Sequence, residues 1–141
     1  MGIRLTIEGA ETISLDEQSI QGCKFITDTP DDPNARSTDV VNTMILTGRI
    51  LTAVDGDAAD DTMKIAKWSV VRAESSDSYR KATVEIVSAN QIVRKVHFPN
   101  AFVVDYQESY GDTEGIGEFT LVIRQKKDKF ELTTIDGGYS F

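Results

Sequence analysis

Cys23 and His97 are the only cysteine and the only histidine in the chain, so a thiol beside an imidazole is the one nucleophile–base pair it could build. Cys23 stands in "QGCKF" and His97 in "VRKVHFPN", stretches that read as two separate strands. A lone cysteine commonly serves as a small buried hydrophobe, and a lone histidine as a hydrogen-bonded surface residue. No catalytic dyad is expected.

Carboxylates come next. In "DGDAADD", residues 55–61, Asp55, Asp57 and Asp61 sit at odd spacing beside Gly56, as in a calcium loop. An EF-hand loop needs glycine at its sixth position and glutamate at its twelfth. Counted from Asp55, Gly56 is second and the twelfth residue is Ala66, so the match fails. The acidic stretch 28–39 has carboxylates at spacings that fit no known cage. Acids that could hydrolyse a glycoside occur in any acidic domain, but no aromatic sugar platform accompanies these. The glycines of "GDTEGIGEF" (111–119) are too dispersed for a phosphate loop, and no lysine follows them. The sequence therefore predicts no catalytic residue, no metal and no cofactor.

The elements that would carry such groups are mostly strands. Ile3, Leu5 and Ile7 alternate with Arg4, Thr6 and Glu8, which makes a first strand of "MGIRLT" despite its loose fit to a myristoylation pattern. "IQGCKFIT" (20–27) reads as a second strand. The stretch 28–39, with Pro30 and Pro33 and an Asp-rich centre, reads as an extended loop. A long β-rich run follows over 40–54, in which Gly48 marks a bulge or bend. Met63, Ala66, Val70 and Ala73 recur at helical spacing, which predicts one helix over about 61–73 with Trp68 as its anchor. Strands resume over 79–88, with "NQ" (90–91) at a turn. "IVRKVHF" then passes Pro99 into "AFVVDYQES". "GEFTLVIRQ" and "FELTTI" close the chain around "KKDK" (126–129). In this pattern Phe102, Val104 and Tyr106 share one side of the wall with Phe119, Leu121 and Ile123. The core anchors are Trp68, Phe102, Tyr106 and Phe119.

The expected fold class is mainly β. It is an antiparallel barrel, or a tightly rolled sandwich, of about seven to eight strands with one helix packed on it. The 141 residues form a single domain, 40% hydrophobic and 27% charged. A net charge of −8 argues against a nucleic-acid partner. No apolar run is long enough to span a bilayer, and the N-terminus lacks a Sec-type signal, so folding in a cytoplasm is expected. One cysteine allows no intrachain disulfide.

Charge is unevenly spread. Residues 1–61 hold 4 basic and 12 acidic side chains, whereas residues 62–141 hold 11 of each. Either the N-terminal loops are simply well solvated, or an acidic surface of one copy meets a basic one on another. In the second case Asp28, Asp31, Asp32, Arg36 and Asp39 would face Arg124, Lys126 and Lys127 between subunits.

The words "AKW", "YRK", "FPNAFVVDY" and "IGEFTLVIRQKKDK", within residues 66–129, resemble proteins from Firmicutes that carry a phage tail-tube domain. The order of elements is likewise similar to the haemolysin-coregulated (Hcp) tube proteins of type VI secretion. The resemblance implies a β-barrel that assembles head to tail into a ring of like copies, a hexamer in that family, with rings stacking into a tube or virion tail. It implies sheath, baseplate or secreted cargo as further partners and export through the apparatus. The 28–39 loop stands where that family's ring-to-ring loop is expected; a surface insertion is the other reading. The alternatives to a tube subunit are a monomeric β-sandwich binding module and a baseplate adaptor of the same fold.

Overall fold

The structure is a computed structural model, and it describes residues 2–28, 41–50, 61–71, 75–111, 117–125 and 134–140. The strands are β1 (Gly2–Glu8), β2 (Thr12–Leu15), β3 (Ile20–Asp28), β4 (Val41–Ile50), β5 (Arg80–Ser88), β6 (Gln91–Tyr110), β7 (Gly117–Gln125), β8 (Thr134–Asp136) and β9 (Tyr139–Ser140). One α-helix, α1 (Asp61–Ser69), and a 3-10 turn at Ser76–Ser78 lie between β4 and β5.

All strands join one antiparallel sheet in the order β2-β1-β5-β6-β7-β4-β3, with β8 and β9 also paired to β6. The 20-residue β6 makes two half-sheets of it. Its first half pairs with β5, and its second half pairs with β7 from Ala101 to Tyr110. The halves fold over one another, bringing β3 close to β1. The result is an open, rolled β-barrel: among the described residues no ladder joins β3 to β1 or β2.

Alternation sets the core. Leu5, Ile7, Ile13, Leu15, Val84 and Phe98 from the first half-sheet meet Met44, Leu46, Phe119, Leu121 and Ile123 from the second, all buried. Phe25 bridges to Phe98 with ring centres 6.1 Å apart.

Several local expectations are corrected. The helix ends at Ser69, with a turn at Val70, short of the expected 73. Its buried side is Thr62, Ile65 and Trp68, while Met63 and Val70 are 60% and 79% exposed. Residues three apart share a helix face, and Ile65 with Trp68 bury more apolar area there than Met63 with Ala66 could. Trp68 is buried, and its indole Nε1 donates to the Ser78 carbonyl at 3.1 Å.

Pro99 does not end a strand. Ala82 pairs with Phe98 and Arg80 with Ala101, so Pro99 and Asn100 face Lys81 alone in a bulge that needs no proline N–H. The Asn100 N–H donates instead to Gln125 Oε1 at 3.0 Å.

A second bulge, between Val103 and Asp105, shifts the alternation of β6. Val103 opposes Ile123 and Tyr106 opposes Leu121 on the core side, while Val104 is 41% exposed. Tyr106 stacks on Phe119 at 6.3 Å. Phe102 therefore lies out of phase with Tyr106, opposite the exposed Arg124 and outside the core cluster in which it was expected, edge-on to Tyr79 at 5.9 Å. A bulge does fall at Gly48: its β3 partner is Ile20, the register slips between Ile20 and Gly22, and the extra residue is on β3, while Gly48 stays in register with Phe119 on β7. The β5–β6 turn is Ala89–Asn90, one residue earlier than expected.

Candidate assembly surface

Cys23 and His97 occupy different places. Cys23 packs against the core from β3, and burial pushes its thiol up to about 11. His97 lies on the outer face of the first half-sheet, where its Nδ1 is 2.7 Å from Thr83 Oγ1. Burial, then the Lys81 charge, lowers its pKa. Both groups are neutral at pH 7. Among the described residues no three His, Cys, Asp or Glu side chains gather to hold a metal ion, and no helix is long and apolar enough to cross a membrane.

The outer surfaces of the two half-sheets differ in chemistry. On the first, Arg4, Glu85, Lys95 and Asp136 lie side by side on β1, β5, β6 and β8, a row of alternating sign. Glu8 opposes Lys81 in another row. Opposite charges at facing positions favour each other across a ladder and suit contact with water. The second half-sheet is apolar at its centre. Ile26, Val41, Thr43, Ile45, Val122 and Arg124 line a groove of about 360 Å³. Arg124 is exposed, and its Nε donates to Thr43 Oγ1 at 3.2 Å. The second half of β6 pairs with β7 along one edge and, among the described residues, with no strand along the other.

Of the inter-subunit contacts expected from sequence, Asp28 closes β3 opposite Val41, and Arg124 borders the apolar groove. Asp31, Asp32, Arg36, Asp39, Lys126 and Lys127 lie outside the described residues, as does the candidate calcium stretch 55–60.

Sequence reasoning missed the support beneath this end of the sheet. Arg80 is buried with its Cζ 5.3 Å from the Trp68 ring centre, and its Nη2 pairs with Asp77 Oδ2 at 2.8 Å. Asp77 also accepts from the backbone of Ala10 in the β1–β2 turn. Helix, 3-10 turn and first hairpin are thereby tied at one point. The only local signal was an aspartate three residues ahead of an arginine.

No protein-family model and no curated protein sequence matches the chain. Solved structures do match by shape. Hcp1 from Flavobacterium johnsoniae aligns over 98% of this chain and 99% of its own, with a TM-score of 0.56 at 14% identity. The fold is Hcp-like. Hcp1 from the E. coli EAEC 042 pathovar aligns over 97% of this chain and 99% of its own, with a TM-score of 0.53 at 11% identity. A chain of the anti-feeding prophage baseplate gives 0.56 at 14% identity, covering 96% and 92%.

Proposed function

We propose that the protein is a structural, non-catalytic subunit that assembles with copies of itself into a ring, and by stacking into a tube, in a phage-tail-like or type VI-like injection apparatus. The observation that carries this reading is the alignment with Hcp1 over nearly the whole of both chains, in an open barrel where the second half of β6 has, among the described residues, no strand along one edge. Heterologous contacts between a face and a different face close into rings when the rotation permits. The sequence words over 66–129 favour a Firmicutes-type member of that fold. The segments around Asp31, Asp32, Arg36, Asp39, Lys126 and Lys127 are proposed to meet between subunits, with sheath, baseplate or cargo as further partners.

The baseplate origin of one structural match supports a second reading, an adaptor of the same fold. Light scattering after size exclusion, with negative-stain images of the same fractions, tests both. Hexameric rings roughly 80–100 Å across, the size six such domains would give, support the tube subunit. A particle that stays monomeric alone and joins only a preformed ring supports the adaptor. Turnover of any substrate by the pure chain would sink both.

A further inference from the structure

The register on the outer face of the second half-sheet carries one step more. Along one row across the strands stand Lys24 on β3, Ile45 on β4, Val122 on β7 and Asp105 on β6. In another row of the same face, Arg49 on β4 opposes Glu118 on β7. Lys24, Asp105 and Glu118 are exposed, and Ile45 and Val122 are half-buried. Among the described residues the Arg49 Nε, itself buried, has no hydrogen-bond partner, and the Arg49 side chain as a whole is half-buried. A line parallel to the strands, midway between β4 and β7, thus has Lys24 and Arg49 on one side and Asp105 and Glu118 on the other.

We propose that this face is a two-fold self-association surface, in which a second copy seats face to face with Lys24 over its Asp105 and Arg49 over its Glu118. A two-fold axis along that line, between the two faces, exchanges the sides. Each of these four charges then meets an opposite charge, and Ile45 meets Val122. An axis across the strands would instead stack Lys24 on Lys24. Strands related by the first axis stay nearly aligned, the common way for two sheet faces to pack. Arg124, a cation on the acidic side of the line, lands over Thr43 of the second copy, whose hydroxyl oxygen accepts a hydrogen bond. Four strands about 4.8 Å apart and about eight residues long give a footprint of roughly 500 Å² per copy. That is the low end for a specific interface, so the pair is reversible. Such an isologous contact is distinct from the heterologous contact of a ring and does not depend on the tube reading.

Sedimentation velocity of the full chain over a concentration series tests it, with Lys24→Glu, Asp105→Lys and the two combined. Each single reversal breaks two symmetric pairs and is expected to weaken pairing about tenfold or more, and the combined variant to recover it. All the altered side chains are exposed, and circular dichroism verifies the fold. In a Cys23→Ser background, a short bifunctional thiol reagent is expected to link a mixture of Lys24→Cys and Asp105→Cys proteins into dimers, and neither protein alone, because like positions stand about three strand spacings apart across the axis. Rings in negative stain report on the tube reading separately, whatever the reversals do to pairing. Wild-type protein that never pairs, reversals without effect, a combined variant that stays weak, or either single-cysteine protein linking as readily as the mixture overturns the proposal.

Discussion

The guanidinium carbon of Arg80 lies 5.3 Å from the centre of the Trp68 ring, so the first residue of β5 packs on the anchor of the helix. A cation over an indole face is attracted by the ring quadrupole, more strongly when both are out of water. Here both are buried, and the Asp77 carboxylate completes the arrangement. Helix position is thereby coupled to the point where the half-sheets part, because Arg80 opposes Ala101, the residue at which β6 changes neighbours.

Removing the arginine should therefore loosen the helix and the first hairpin together. Arg80→Ala is expected to lower unfolding free energy by about 3 kcal/mol, the loss of a buried, paired cation and its packing. Asp77→Asn should also change the acid response. The Arg80 hydrogen bond holds the Asp77 carboxyl below its usual range. Its contribution is full above the unfolded carboxylate pKa near 4 and is lost as pH falls through the lower folded value. Urea titrations across that range should show a shallower acid loss for Asp77→Asn than for wild type. Equal slopes would remove Asp77 from the account.

Gly48 gives a sharper packing test. A methyl group there would run into the Ser19 carbonyl oxygen and sit 2.7 Å from the Phe119 ring. The loop after β2 is pinned at this place, since Arg49 N–H donates to the same carbonyl at 2.7 Å. Gly48→Ala is expected to cost about 2–3 kcal/mol through overpacking. Thermal unfolding that leaves the variant as stable as wild type would show that the loop yields freely.

Much of this was legible in the chain because period-two alternation reports burial directly. Ile3, Leu5 and Ile7, or Phe119, Leu121 and Ile123, needed no structure to be assigned to one face. The bulge at Val103–Asp105 was not legible, since a one-residue slip leaves composition unchanged while moving Phe102 away from Tyr106. The helix face was misjudged because Met63 and Val70 look as apolar as Ile65 and Trp68, and only packing against β2 separates them. The row Arg4–Glu85–Lys95–Asp136 was invisible for another reason. Its members are far apart in sequence, and only strand pairing brings them level. The two-sided charge of the β3–β4–β7–β6 face has the same origin.

The β5–β6 turn offers a stabilising change. Ser88 pairs with Gln91, leaving Ala89 and Asn90 as a two-residue loop with φ of 51° and 64°. Asparagine tolerates that region, whereas alanine's Cβ crowds the backbone there by roughly 1–2 kcal/mol. Ala89→Gly relieves the crowding but gives the unfolded chain more freedom, so a net gain of about 0.5–1 kcal/mol is expected. Differential scanning calorimetry should show a higher Tm. A lower one would mean the turn is not strained.

The charge row can be tested without reference to assembly. Glu85→Lys sets three cations level across β1, β5 and β6, since Arg4 and Lys95 flank it. Like charges directly opposite one another cost about 1 kcal/mol on a sheet surface, and the loss should shrink as added salt shortens the Debye length. Glu85→Gln removes the attraction without adding repulsion and should fall between the two.

His97 provides the last prediction, and its sign follows from its surroundings. The groups that face it are Thr83, Lys81, Lys95 and Glu8; burial and the two lysines lower its pKa, against Glu8. A histidine whose folded pKa lies below its unfolded value near 6.5 favours the native state only while neutral. That contribution is present above about pH 6.5 and is lost as pH falls through the lowered folded value. Wild type should therefore lose stability on mild acidification before the carboxylates titrate, and His97→Gln, which keeps a hydrogen-bonding partner for Thr83, should lack that early step. NMR titration of the single imidazole measures the folded pKa directly, and a value above 6.5 would reverse the predicted slope.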